Sequence, residues 1–508
     1  MTRPAPSSIL VGLVLAAAPA SAQSIQPRMG DPVPGLSAPD AALFQDGRVV
    51  FGQTLTAIQG LGPIMNDHSC ASCHARPRVG GFSAKRVTRF GKAAIPPSTP
   101  FDPLVALGGS LLQAEAIAVE CQEVVPPQAN VTAQRLTTPI FGAGLVEAIL
   151  DADLQARETS PPPGVSGRAH MVMPLEGPPV ARVGRFGWKA QVATLLTFSA
   201  DASLNEMGLT NRFLTAENAP NGNGTVLALC DAVPDPEDGP DGFGLHKIDR
   251  QRDFQRFLAA PPQTPKGGMR GEVAFTGIGC ASCHVATPYV TGPSPVPALA
   301  GKSIKPYSDF LLHDVGALGD GIVQGQANEA ELRTPALWGL RVRAEEALLH
   351  DGSATGGTPA ENVRAAILQH DGEAVAARDR FTSLRPANQQ RLIDFTLSLG
   401  RAEFDYEGDH DVDALDWVFL RLDGRFTGPG SFHTPDDPGA VADFDQDGDF
   451  DVEDYAWMQR AATGDESGTL DASDAKQRLD DAELVRRAEL QVLARPLWDP
   501  AWGAARIE

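Results

Sequence analysis

The string Cys-Ala-Ser-Cys-His occurs twice in this 508-residue chain, at Cys70, Cys73 and His74 and again at Cys280, Cys283 and His284. Two thiols three positions apart can each add to one vinyl group of a porphyrin, and the histidine that follows then reaches the iron from the proximal side. Each copy is therefore read as the attachment site of a covalently bound haem c, two in all. A redox dithiol or half of a zinc site also uses a C-x-x-C pair. Both fit poorly with two widely separated copies, each followed at once by histidine.

Two haems need large cores around them, and 508 residues suffice for two or three domains. The N-terminus reads as a secretory leader, residues 1–22: Arg3, an apolar run from Ile9 to Ala18, and the small-residue site Ala20-Ser21-Ala22. The apolar run is too short to span a bilayer, and no later stretch is long and apolar enough. A periplasmic or secreted protein is expected, with no membrane span. In an oxidising compartment the two remaining cysteines, Cys121 and Cys230, most often form a disulfide; two buried free thiols are the alternative. The net charge of -22 argues against nucleic acid as a partner, because phosphates call for a basic surface.

The fold expected is mainly α with long loops. Residues 23–260 and 261–400 are assigned to two cytochrome c-like haem domains. Loops are marked by Pro161-Pro162-Pro163-Gly164 and Asn221-Gly222-Asn223-Gly224, helices by apolar residues at three-and-four spacing over Ala360–Gln369 and Asn388–Leu399. A short internal repeat follows each motif: Arg135 and Thr138-Pro139-Ile140-Phe141-Gly142 after the first, Arg333-Thr334-Pro335-Ala336-Leu337-Trp338-Gly339 after the second.

Five segments together resemble the bacterial di-haem oxidoreductases, relatives of the di-haem cytochrome c peroxidases: Gly62–Cys70, Gly184–Lys189, Ser308–Asp314, Arg333–Gly339 and Leu349–Gly352. The resemblance covers roughly residues 30–400. It implies an exported, peroxidase-like enzyme in which electrons pass from the second haem to peroxide or another small oxidant at the first. The electron donor would be a protein such as a small c-type cytochrome. Those peroxidases place a distal ligand on a helix shortly after the His-Asp-Gly turn, a place taken here by His370; His313 and His350 are assigned structural roles. The resemblance also implies a tryptophan between the haems, and Trp188 and Trp338 are the only tryptophans before residue 400.

The first motif differs, because no histidine lies between Ala75 and Ala169. His68 and Met65 are too close to Cys70 to cross to the distal face, which leaves His170, Met171, Met173 and Met207. An open first iron is expected, and an open distal side permits peroxide chemistry. That chemistry needs an acid-base group to move a proton between the two oxygens and a polar group to assist charge separation. Glu147 is the candidate acid-base, with Gln113 and Arg135 beside it.

The acidity is concentrated in residues 401–463, which hold 17 acidic residues against 4 basic ones. From Asp443 the order Asp-Phe-Asp-Gln-Asp-Gly-Asp-Phe-Asp-Val-Glu-Asp sets Asp443, Asp445, Asp447, Asp449, Asp451 and Asp454 at the oxygen-ligand positions of a calcium loop, with Gly448 at its turn. Glu403–Ala414 repeats the pattern without a twelfth ligand. Residues 401–463 are thus expected to form a small helical Ca2+-binding module resembling a dockerin or paired EF-hands, with a docking partner. Residues 464–508 are read as a charged helical tail. Two other functions compete with a peroxidase: a di-haem electron-transfer cytochrome, and a calcium-dependent docking or scaffold protein that carries haem.

Overall fold

Ser37 and Pro39 start the first long helix, Ala38–Gly52, the Ser37 hydroxyl accepting the Asp40 N–H. It packs along the helix Lys247–Phe257 through Phe44 and Phe51 on Phe254, with ring centroids 5.4 and 4.8 Å apart. Gly47 permits the approach: a Cβ there would lie 2.4 Å from the Arg250 carbonyl oxygen. The helix Leu195–Met207, capped by Thr194 and closed by Gly208 in the left-handed region, covers a polar flank. There Gln251 meets Ser203 and Gln255 meets Ser199. These three helices frame the first Cys-Ala-Ser-Cys-His turn.

The computed structural model describes residues 29–94, 99–231, 233–261 and 270–400. The leader, the acidic calcium loops and the C-terminal tail lie outside the described residues.

Around the second motif the helices Arg270–Ile278, Pro359–Gln369, Val375–Ser383 and Pro386–Ser398 enclose Phe275, Phe381, Phe395 and Tyr307. Phe275 stands edge-on to both Phe395 and Tyr307. Thr358 and Glu361 form a capping box and Pro359 takes the first turn, so Pro359–Gln369 begins where its sequence dictates and ends at His370. The two helices anticipated from periodicity are present within a few residues of their expected ends.

A mainly helical chain is only part of what forms. Among the described residues the fold is mixed, 38% helical and 13% strand, and strands set the geometry next to the first motif. Arg86–Gly91 pairs antiparallel with Val131–Leu136, in register from Arg86 opposite Leu136 to Gly91 opposite Val131, and Leu111–Leu112 adds the third strand. Val131–Leu136 alternates half-buried and exposed positions before turning inward at Arg135 and Leu136. Its partner lies some forty residues earlier in sequence, a separation that helical periodicity does not report.

One apolar cluster joins Phe44, Phe141, Ile149 and Phe254 from before residue 260 to Phe310, Leu311, Trp338 and Val342 from after it. Among the described residues, no helix is long and apolar enough to cross a membrane. Gly47→Val forces a branched side chain against the Arg250 backbone; the variant should lose roughly 2 kcal/mol or more, measured as a lower urea midpoint with an unchanged slope.

Candidate functional site

Both motifs fold as a single tight turn. His74 N–H donates to the Cys70 carbonyl at 3.0 Å and His284 N–H to that of Cys280 at 2.9 Å. The Ser69 hydroxyl caps the first turn, and Gly279, at φ +101°, admits the chain to the second. In each, the histidine ring is held by one nitrogen: Nδ1–H donates to the Gly81 carbonyl from His74 (3.1 Å) and to the Tyr307 carbonyl from His284 (3.0 Å). The tautomer is thereby set and Nε2 is left as the lone-pair donor, the arrangement that metal-binding imidazoles need. Burial holds both rings down to about 4, so each is neutral and able to ligate at physiological pH.

His370 repeats the device. Its Nδ1–H donates to Ala366 O at 2.7 Å, one helical turn back, and burial lowers its pKa. His370 and His284 line one cavity of about 320 Å³, whose walls include Phe275, Val363, Ala366 and Leu392. The cavity reaches Arg333, Arg343, His350, Trp188 and Trp338. Arg333 and Arg343 are buried; Arg333 donates to the carbonyl oxygens of Gly187 and Thr334 and Arg343 to that of Thr137, and burial draws both down to about 10. Beside them the His350 Nδ1 is buried without a hydrogen-bond partner. An apolar cavity lined by two imidazoles, with buried guanidinium groups also on its wall, suits a planar macrocycle that carries carboxylates. The residues fit a haem.

Trp188 lies where the two halves meet. Its Nε1–H donates to Leu136 O at 2.9 Å, its carbonyl accepts the Arg333 N–H, and its ring stands edge-on to His350 with centroids 6.1 Å apart. Trp338 packs in the shared apolar cluster. His313, assigned a structural role, is clamped by carboxylates on both nitrogens, Asp309 and Glu373, each at 2.8 Å. Burial alone would lower its pKa, but those partners hold it up to about 12.

Near the first motif the anticipated catalytic residues separate. Ile64–Met65 pairs with Glu115–Ala116. Asn66 secures this pairing by accepting the Ala114 N–H and donating to Glu206. Gln113 is buried and donates to Asn205 O. It lines a polar chamber of about 460 Å³ with Arg89, Asp201 and Gln324. Arg135 stands behind that chamber, bonded to Gln324 and Asp320. Glu147 is occupied elsewhere: one oxygen accepts the Leu195 N–H at a helix start and the other pairs with Arg256.

The carboxylate beside Gln113 is Glu123, which the sequence reading missed. It is 3% exposed. Its oxygens accept the backbone N–H groups of Gln113 (3.1 Å) and Asn221 (2.7 Å). Burial raises its pKa even so, the two N–H bonds offsetting only part. Cys121, two residues earlier, is joined to Cys230 in a disulfide with Cα atoms 6.1 Å apart, which fixes the loop from behind. Glu115, Glu120 and Glu123 lie within nine residues of one another, and no spacing rule says that only Glu123 turns inward. The neighbouring Cys121 was the available signal.

Among the described residues no second histidine joins His74. The His170 Nδ1–H donates to Lys189 O and its Nε2 accepts the Gln326 N–H, so neither nitrogen is free. His68 is half exposed beside Glu115, and Met173 is exposed. Met65 and Met207 are buried together, packed with Cys70.

Comparison with protein families adds one finding. The model described as "Di-haem oxidoreductase, putative peroxidase" matches residues 127–399, more than half of the chain. The chain belongs to the di-haem oxidoreductase family. No curated protein and no solved structure matches it. The matched span holds the second motif, His370 and Trp188, whereas the first motif, Gln113 and Glu123 lie upstream of it.

Within this di-haem oxidoreductase the two halves are joined by a buried charge cluster. Asp320 accepts from Arg135 Nε at 2.8 Å and pairs with Lys189 Nζ at 3.0 Å. Burial alone would raise its carboxyl, but Arg135 and Lys189 outweigh burial and hold it below the ordinary carboxylate range. A carboxylate with a depressed folded-state value contributes stability above its unfolded value of ~3.9, and that contribution fades as pH falls through the lower folded value. Asp320→Asn leaves two buried cations without a counter-charge. It should cost about 3–5 kcal/mol at pH 7 by urea unfolding, and the deficit relative to the parent should shrink below about pH 4.

Proposed function

We propose that this di-haem oxidoreductase is an exported c-type enzyme of peroxidase type, with its reaction centre at His74 and its electron port at His284 and His370. The observation that carries this reading is an asymmetry in the donor sets. Two tethered, neutral imidazoles line the cavity at the second motif, while among the described residues no second histidine joins His74. Covalent attachment through Cys70, Cys73, Cys280 and Cys283 rests on the motifs, none of these thiols being paired in a disulfide. Export rests on the leader and agrees with the Cys121–Cys230 disulfide.

Bound haem supplies the electrons that cleave the O–O bond; the chain supplies proton handling and exclusion of water. Glu123 accepts a proton from one peroxide oxygen and returns it to the other. Gln113 orients the same oxygens through its side chain. The overall change balances as one peroxide, two electrons from a donor such as a small cytochrome, and two protons giving two waters. Glu123 replaces Glu147 in this role, because it has the raised pKa and burial of an acid-base group and Glu147 is bound to Arg256. Arg135 keeps a supporting role through Gln324. A second reading, an electron-transfer cytochrome, is favoured by Met207, a buried side chain packed near Cys70 that could supply a sixth ligand.

Glu123→Gln should lower peroxide turnover by about 10²–10⁴-fold at unchanged haem content, measured with a reduced c-type donor. Glu147→Gln should instead lower the melting temperature with turnover nearly retained. Two low-spin EPR signals and no high-spin one in the oxidised protein would replace the peroxidase by the electron-transfer reading.

The acidic module is proposed to hold Ca2+ at Asp443, Asp445, Asp447, Asp449, Asp451 and Asp454 and to dock a partner, on the strength of its ligand spacing. Chelation should lower the melting transition of the calcium-loaded full-length protein, and Asp447→Ala should abolish that shift. A chelator-insensitive transition would remove calcium from the account.

A further inference from the structure

His370 sits at the C-terminal end of the helix Pro359–Gln369 and is followed by a tight loop, Asp371-Gly372-Glu373. Loops that carry a metal ligand need support, because the ligand's position is only as firm as its backbone. The Arg378 guanidinium donates to the His370 carbonyl at 2.9 Å, and the Asp371 carboxylate accepts the Ala317 N–H at 2.8 Å. Gly372 lies so close to the turn after His313 that a Cβ there would stand 2.3 Å from the Asp314 carbonyl oxygen.

Glu373 makes the longest reach. Its carboxylate accepts from His313 Nδ1 at 2.8 Å, from the Ser166 N–H at 2.9 Å and from the Ser166 hydroxyl at 2.8 Å. On its other side His313 Nε2 donates to Asp309 at 2.8 Å, and the Asp309 N–H donates to the carbonyl of Cys283 at 2.9 Å. A continuous chain of hydrogen bonds thus runs from the second attachment turn, which bears His284, across to the loop that bears His370. Its last member, Ser166, comes from the opposite half of the molecule, 207 residues away from Glu373. Gly167 is part of the fit: a Cβ at that position would lie 2.4 Å from the His313 ring.

We infer that Glu373 is a positioning residue for His370, and that Ser166 completes the latch, so that axial ligation at the second haem depends on contact with the first half of the chain. This rests on the reading of His370 as an iron ligand. The latch makes the six-coordinate state of the electron port conditional on docking of the Pro161–Gly167 loop, and it gives that proline-rich loop a purpose. Hydrogen bonds to a charged carboxylate are the strong class, and removing this one should shift the balance between bound and released His370 by roughly tenfold or more.

The experiment uses full-length haem-loaded protein with Ser166→Ala, Glu373→Ala and, as a reference, His370→Ala. The low-spin signal lost in His370→Ala identifies the second haem. In Glu373→Ala that haem should become partly high-spin and bind carbon monoxide when reduced, and added imidazole should restore the low-spin spectrum. Ser166→Ala, which removes one hydroxyl and is the variant to use if Glu373→Ala does not fold, should change it in the same direction to a smaller extent. A second haem that stays low-spin and refuses carbon monoxide in both variants overturns the latch while leaving His370 as ligand. If His370→Ala itself changes no signal, the ligand assignment fails first.

Discussion

The two halves of the chain are held in register by the need of buried cations for oxygen. Lys189 has a side chain wholly removed from solvent, and it finds Asp320, Asn328 O and Glu331 O. Arg135 reaches the same Asp320 from the central sheet, and Arg168 forks onto Glu331. Every one of these contacts joins a residue before position 190 to one after 319. Apolar packing is tolerant of small slips, whereas a desolvated guanidinium facing a desolvated carboxylate is not. The cavity that touches both halves, with Trp188 at the seam, owes its shape to that intolerance.

Identical Cys-Ala-Ser-Cys-His strings end in different surroundings because the chain after each supplies different groups. Behind the second come a capped helix and a tethered imidazole. After the first come a strand pair and a disulfide-backed loop, which deliver an amide and a carboxyl. In each case a backbone carbonyl selects the histidine tautomer, a role any residue's carbonyl can fill; Gly81, Tyr307 and Ala366 share no side-chain chemistry. The difference between the two sites therefore lies in what the folds bring to the far side.

Much of the second site was legible. The three-and-four apolar spacing over Ala360–Gln369 located the helix, and the family resemblance drew attention to His370 after it. The attachment turns were legible from local chemistry alone. What escaped was non-local. The pairing of Arg86–Gly91 with Val131–Leu136 depends on segments forty residues apart. The inward turn of Glu123 is decided by N–H groups of Gln113 and Asn221, nearly a hundred residues from Asn221 in sequence. Glu147 was the candidate acid-base, yet the fold leads it to Arg256 and to a helix start in need of an acceptor. His170 was open as a ligand until the backbone groups of Lys189 and Gln326 claimed both of its nitrogens.

The placement of His370 at a helix end has an electrical side. The aligned peptide dipoles of Pro359–Gln369 leave partial negative charge at their C-terminal carbonyls, and the effect is felt within the last turn. The Ala366 carbonyl, which holds the His370 ring, belongs to that turn. A positive centre held by His370, as proposed, would face the negative pole of an entire helix, and the fold would then favour the more highly charged, electron-poor state of that centre.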